Sequence, residues 1–282
     1  MSKVAIVTDS TVTLPENLVK DYQITIVPQV LIWGNVTYED GVDIQPVEFY
    51  ERLKADKQMP STSQVTPKSF LEAYKRLLDE DHEIISILLS EKLSGTIASA
   101  VQARESFPNA PIEIVDARTT SLAMGFVILV VADAIKKGAT LKECKELAEE
   151  AKKHVGVLFA VDTLEFLHRG GRIGGGSRFL GTALNIKPIL EVVDGRVEGI
   201  ERVRTRNKSI ARLVDLTEER IAGKKPVRLA ALHANARADA LNLLDQASKR
   251  IESIQTILAE VSPVIGTHAG PGTVGLAWMI GM

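Results

Sequence analysis

The chain has 282 residues, enough for one large domain or two moderate ones, and its 45% hydrophobic and 25% charged content is that of an ordinary globular protein. A net charge of −2 provides no overall field toward nucleic acid or an anionic membrane. The single cysteine, Cys144, excludes an intrachain disulfide and a cysteine-based metal cluster.

The first 150 or so residues alternate strand and helix signals. Lys3–Thr8 is an apolar strand that enters an Asp9-Ser10-Thr11 turn. Thr13-Leu14-Pro15-Glu16 has capping-box spacing and is expected to open a short helix. Ile24–Leu31 reads as one strand, and Trp33-Gly34-Asn35-Val36 as a tight turn into a small hairpin through Tyr38. Helices are expected over Pro46–Asp56 and Pro67–Leu78, the second capped by Thr66, with Ser61-Thr62-Ser63-Gln64 a polar loop between them. A strand at Ile84–Leu89 leads through Leu93-Ser94-Gly95-Thr96 into a helix at Ile97–Ala103. Ile112–Val115 is a strand that ends at Asp116. An apolar helix from Leu122 follows, then a helix over Leu141–Lys153 with Thr140 and Glu143 as its capping box. This alternation predicts a parallel sheet with helices on both faces.

The second half mixes hairpins and helices. Val155–Ala160 is a strand, and Leu190–Val193 and Arg196–Arg204 form a hairpin about Asp194-Gly195, a strong two-residue turn. Ser209–Ile221 and Ala236–Ile251 are amphipathic helices, and Val227–His233 and Ile257–Val261 are strands. Gly266-Thr267-His268-Ala269-Gly270-Pro271-Gly272-Thr273 reads as a glycine-rich loop. The expected fold class is α/β, an N-terminal parallel-sheet α/β domain over 1–154 followed by a C-terminal α+β domain with a mixed sheet over 155–282.

The N-terminus is too polar for a secretory signal. The longest apolar stretch, Leu122 to Ala132, stops at Asp133, short of the roughly 20 residues a membrane helix needs. A cytoplasmic location is therefore expected. Cys144 lies in a helical pattern beside Leu141 and Leu147 and reads as structural.

Four polar segments stand at strand ends or in loops: Asp9-Ser10-Thr11, Ser61 to Gln64, Ser94-Gly95-Thr96 and Gly266 to Thr273. Ligands of open α/β sheets sit beyond the carboxyl ends of the strands, where Asp9, Ser94 and Asp116 fall. Ser94 at a strand-to-helix turn reads either as a helix cap or as part of an anion site built on free N–H groups. Thr62 reads as a plain loop residue or a ligand contact, and Asp9 and Asp116 as turn-stabilising or orienting carboxylates. His268 reads as a general base, a donor to an anion or a structural imidazole. Arg169-Gly170-Gly171-Arg172 is a cationic corner that could bind phosphate, dock a partner or stay solvated. A phosphate-binding Gly-x-x-x-x-Gly-Lys-Ser/Thr is absent, as is Gly-x-Gly-x-x-Gly after a strand. The five histidines lack paired ligand spacing, so no metal site is expected. Ser94, His268 and Asp116 or Asp9 supply the residue types of a hydrolase triad, although Gly-x-Ser-x-Gly is missing.

Together these segments resemble the DegV family, the fatty-acid-binding subunits of bacterial fatty acid kinases. The resemblance covers residues 3–281. It rests on Val7-Thr8-Asp9-Ser10, Ser61-Thr62-Ser63-Gln64, Leu93-Ser94-Gly95-Thr96, Asp116, Leu164 to Leu167 with Arg169-Gly170-Gly171-Arg172-Ile173, Lys187-Pro188-Ile189 and Gly266 to Gly272. It implies an acyl chain in an apolar tunnel, with its carboxylate held at Thr62, Ser94, Gly95, Thr267 and His268. Arg169 and Arg172 would face a separate ATP-dependent kinase subunit that converts the carboxylate to an acyl phosphate for phospholipid synthesis. The resemblance further implies no catalytic residue in this chain, no cofactor besides the bound fatty acid, no nucleic acid, and at most transient membrane contact. The open alternatives are a serine acyl hydrolase, a carrier of another amphipathic lipid, and a regulator docking through Arg169 and Arg172.

The physics suits such a carrier. Burying about fifteen methylene-sized groups at ~0.8 kcal/mol each releases roughly 12 kcal/mol before costs. A hydrogen bond to a charged head contributes only about 1.5–3 kcal/mol. Neutral donors would leave the carboxylate reactive, and Lys92 is the one cation beside Ser94 or Thr62 in sequence. Phe126, Ile128, Leu129, Phe159, Leu184 and Ile186 are candidate wall or core residues.

Overall fold

The computed structural model of the chain describes residues 3–179 and 186–282. Its first sheet is four-stranded and parallel: β1 (Val4–Asp9), β2 (Thr25–Val27), β6 (Glu83–Leu88) and β7 (Ile112–Asp116), in the order β2-β1-β6-β7. A small antiparallel sheet, β4-β3-β5, comprises β3 (Val30–Trp33), β4 (Val36–Glu39) and β5 (Ser61–Ser63). A six-stranded mixed sheet takes the order β10-β9-β8-β13-β11-β12. Its strands are β8 (Val155–Ala160), β9 (Lys187–Val193), β10 (Arg196–Val203), β11 (Val227–His233), β12 (Gln255–Glu260) and β13 (Val274–Ile280).

The helices are α1 (Glu16–Asp21), α2 (Pro46–Ala55), α3 (Pro67–Asp79), α4 (Thr96–Arg104), α5 (Ser121–Lys136) and α6 (Leu141–Ala151), then α7 (Glu165–Arg169), α8 (Arg206–Ile221), α9 (Arg237–Ser248) and α10 (Pro263–Ala269). α5 is buried on nearly every side because it lies between the two large sheets, touching β1 and β6 on one side and β8, β11 and β13 on the other. Its apolar run thus serves a core rather than a bilayer. Among the described residues no helix is long and apolar enough to cross a membrane. α3 and α4 cover the outer face of the parallel sheet, and α8 and α9 that of the mixed sheet.

The mixed sheet shows why its strands are apolar on both faces. Val157, Leu232, Ala277 and Met279 pack toward α5, while Leu158, Leu229, Leu276 and Trp278 pack toward α8 and α9. Successive side chains point to opposite faces, and both faces are covered.

Several expectations change in detail. Pro28 and Gln29 break the Ile24–Leu31 strand, so β2 joins the parallel sheet and β3 the small one. Thr13 makes no capping box; it adopts a left-handed φ of 50° and α1 begins after Pro15. Ser61–Ser63 is a strand, not a loop. The Gly266-Thr267-His268 segment is helical, opened by the Ser262 cap and Pro263. β13 is a strand that the sequence reading left unassigned. The capping box of α6 and the Asp194-Gly195 turn form as expected, the latter with both residues at positive φ.

At the carboxyl end of β1 the Asp9 side chain is fully buried. One oxygen accepts from the Thr11 N–H (3.0 Å) and hydroxyl (2.6 Å), the other from the Leu89 N–H (2.9 Å). Burial raises its carboxyl from the ordinary value, and these donors pull against that rise. Asp9 therefore ties the turn after β1 to the turn after β6. Asp9→Ala leaves those buried donors without an acceptor and is expected to destabilise the protein by about 2–4 kcal/mol, measured by urea unfolding.

Candidate functional site

The loops leaving β1, β6 and β7 face the α5 side of the mixed sheet, and a cavity of about 110 Å³ lies between them. Its wall is mainly apolar, formed by Leu89, Val157, Phe159, Val192, Leu232 and Val264 among others. Its polar residues include Gln29, Thr62, Ser63, Ser94, Arg172 and His268. An apolar cavity carrying a few convergent polar groups is the usual form of a small-molecule site.

The structure brings together Thr62, Ser94 and His268. Thr62 stands in the middle of β5 because β5 pairs with β3, and its Oγ1 lies 2.7 Å from His268 Nε2. Ser94 ends the turn after β6 and its Oγ lies 2.9 Å from Thr96 Oγ1. Gly95, not Ser94, is the N-cap residue of α4, so the simple capping explanation for Ser94 does not hold. A Cβ on Gly95 would overlap the Gln64 side chain, whose amide donates to Ser99 Oγ at 3.0 Å. The glycine thus lets β5 and α4 close on each other, which sets Thr62 near Ser94.

Two of the expected head-group residues lie outside the cavity lining. Gly95 acts through its missing side chain, as just described. Thr267 turns its hydroxyl back into α10 and donates to the Pro263 carbonyl at 2.9 Å, the local bond that a helical threonine makes to the carbonyl four residues before it.

His268 is largely buried. Burial first, and the positive charge of Arg172 second, push its imidazole down to about 4, so it is neutral above pH 5. Its Nδ1 is buried without a hydrogen-bond partner among the described residues. A Cβ on Gly170 would overlap that nitrogen, so the glycine makes room for the ring.

The two arginines separate. Arg169 is exposed, pairs with Glu165 at 2.7 Å and does not line the cavity. Arg172 lines the cavity, donating to the Leu93 carbonyl (3.0 Å) and the Gly170 carbonyl (2.7 Å). This corrects the expectation of a cation-free head-group region. Lys92, the cation adjacent in sequence, turns away to the Asp194 carbonyl at 2.9 Å.

The hydrolase geometry is absent. Ser94 is bonded to Thr96 rather than to His268, and His268 is bonded to Thr62 with no carboxylate on its other nitrogen. Neither Asp9 nor Asp116 lines the cavity; Asp116 caps its own turn through the Arg118 N–H at 2.7 Å. A serine needs an adjacent, oriented base to act as nucleophile, so that reading is set aside. No group of three or more histidine, cysteine, aspartate or glutamate side chains among the described residues could hold a metal.

Of the candidate wall residues, Phe159 lines the cavity, whereas Phe126, Ile128 and Leu129 belong to the α5 core. Ile186 is half-buried away from the lining, and Leu184 lies outside the described residues. The sequence reading missed Gln29 and most of the apolar wall. The alternate residues Val157 and Phe159 of β8 and the apolar Val264-Ile265 pair after Pro263 were the available signals; nothing local marks Gln29.

A profile described as an uncharacterised protein of the DegV family matches residues 3–280. The DegV protein of Bacillus subtilis is 35% identical over 277 residues, 98% of each chain. Among solved structures, a DegV family protein from Thermus thermophilus, reported for its fatty acid binding, superposes with a TM-score of 0.92 at 32% identity, covering 98% of this chain and 99% of that one. Bacillus subtilis DegV, described as a fatty acid binding protein, superposes with a TM-score of 0.87 at 32% identity over the full length of both. The chain belongs to the DegV family, and its α/β fold with a parallel and a mixed sheet is that of the family's structures.

With the folded His268 value near 4 and the unfolded value near 6.5, the unfolded chain binds the extra proton between those limits. The His268 contribution to stability therefore rises with pH from 4 to 6.5 and is complete above. Imidazole NMR is expected to show a midpoint near 4 in the native protein, and the stability gap between it and His268→Gln to widen over that window. Gly170→Ala displaces the ring and should move the midpoint up toward 6.5.

Proposed function

We propose that this chain binds a long-chain fatty acid in the apolar cavity and presents its carboxylate to a separate ATP-dependent kinase subunit, which forms the acyl phosphate. The observation that carries the reading is the composition of the cavity, a largely apolar wall interrupted by Thr62, Ser94, His268 and Arg172. The fatty acid binding reported for the related structures supports it, as does the absence of a nucleotide-binding loop in the sequence.

In this reading the tail supplies affinity by leaving water. Ser94 and Thr62 donate to the carboxylate, and His268, neutral and bonded to Thr62, fixes the second donor. Arg172 attracts the head group, while its bonds to two carbonyls keep it from forming a bidentate pair that would quench the carboxylate as a nucleophile. Arg169 stands outside as a docking charge for the kinase subunit. No residue of the chain performs catalysis; the reacting oxygen belongs to the ligand and the phosphoryl group comes from the partner's ATP.

Mass spectrometry of an organic extract of the purified protein is expected to show a long-chain fatty acid. A folded chain that neither carries nor takes up fatty acid sinks the proposal. With the kinase subunit and ATP supplied, Ser94→Ala combined with Thr62→Ala should lower acyl phosphate formation by about tenfold or more, in a protein that still folds although His268 Nε2 loses its partner at a cost of about 1–3 kcal/mol. Unchanged acyl phosphate formation would place the carboxylate elsewhere.

A further inference from the structure

Ser94 carries a single proton, and what its neighbours do with theirs decides whether that proton reaches a ligand. Thr96 Oγ1 lies 2.9 Å from Ser94 Oγ, 2.9 Å from Gln29 Nε2 and 3.2 Å from Gln29 Oε1. Thr96 and Gln29 are both buried, at 0% and 1% exposure, so no bulk water competes for these bonds. Two proton arrangements are available. If Thr96 donates to Gln29 Oε1, Ser94 must donate to Thr96 and has nothing left for the cavity. If Gln29 Nε2 donates to Thr96 and Thr96 gives its own proton to Ser94 rather than to Gln29 Oε1, the Ser94 proton is free. The shorter contact is the amide nitrogen's.

The surroundings hold that amide in place. The Gln29 backbone N–H donates to Ser10 Oγ at 3.0 Å, and its carbonyl accepts from the Asp40 N–H at 2.9 Å. The amide also stabilises the buried Asp9 carboxylate, which accepts hydrogen bonds and so favours the nitrogen on its side.

We infer that Gln29 and Thr96 are positioning residues: the one-way chain from Gln29 Nε2 through Thr96 to Ser94 commits the Ser94 hydroxyl to donate to the bound carboxylate. The inference rests on the fatty acid reading of the cavity. Its physical content is proton direction, and each bond in such a chain polarises the next.

The test is a double-mutant cycle read with [1-¹³C]palmitate as the probe. Gln29→Glu keeps the shape; burial and the adjacent Asp9 carboxylate raise the new carboxyl, so affinity is read at about pH 9, where it is ionised and can only accept. It reverses the chain, so palmitate affinity should fall by about tenfold or more and the carboxyl titration of the bound probe should move up. Thr96→Val cuts the chain and leaves the Ser94 proton free, so adding it to Gln29→Glu should restore most of the affinity and return the titration toward that of the native protein. Thr96→Ser, which keeps the hydroxyl, should behave as native. If the double variant remains as weak as Gln29→Glu, the effect is charge repulsion and the inference is overturned. If Gln29→Glu does not fold, Gln29→Met takes its place: direction is lost rather than reversed, the weakening should be about threefold, and it should vanish in the Thr96→Val background or the inference falls. Native protein that binds no palmitate overturns the fatty acid reading itself, a different result from native binding with an uncoupled cycle.

Discussion

The hydrogen bond between Thr62 and His268 joins residues 206 positions apart, and the site exists only because it closes. One partner stands on β5 of the small sheet and the other on α10, next to the mixed sheet. α10 is held from several directions. Ser262 caps it, and the Val264 N–H donates to Asp40 at 3.0 Å, a buried carboxylate that also accepts from Ser10 at 2.6 Å. Gly266 lets the helix press against Tyr50 and Phe49 of α2, where any side chain would overlap the rings. The imidazole is therefore delivered to Thr62 by a rigid helix, and burial keeps it neutral.

The second closure concerns the loop carrying Ser94. It belongs to the parallel sheet, but the mixed sheet holds it down. Ser90 donates to the Gly195 carbonyl at 2.9 Å, Lys92 to the Asp194 carbonyl at 2.9 Å, and Arg172 to the Leu93 carbonyl at 3.0 Å. The hairpin turn between β9 and β10 thus acts as a floor under the loop. The positive φ at Asp194 and Gly195 presents its carbonyls to that loop. Ser94 consequently sits on a seam to which both large sheets contribute, and neither sheet could form it alone.

This arrangement divides labour between an apolar wall and a few polar groups. In the proposed complex the wall would remove a tail from water without specifying it closely, since dispersion and the hydrophobic effect carry no direction. The polar groups at Thr62, Ser94, His268 and Arg172 carry direction but little energy by comparison. Each is itself bonded, to His268, Thr96, Thr62 and two carbonyls respectively, so the side chains keep their orientation.

What was legible in the chain followed from local physics. The Thr140–Glu143 capping box, the Asp194-Gly195 turn and the strand Val227–His233 depend on neighbours a few residues away, and each formed as read. The hydroxyl loops and the DegV resemblance also came from the sequence alone. β5 was not legible because Ser61-Thr62-Ser63 has no apolar alternation; its strand character comes from β3 beside it. The Ser262-Pro263 start of α10 was a local signal outweighed by the glycines around His268. The sequence by itself determined most of the elements, the fold class and the family. Tertiary structure alone decided that Arg172 turns inward while Lys92 turns out, and that Gln29 stands behind Ser94. Those choices depend on which buried donors and acceptors meet across gaps of tens to hundreds of residues, and no local pattern encodes them.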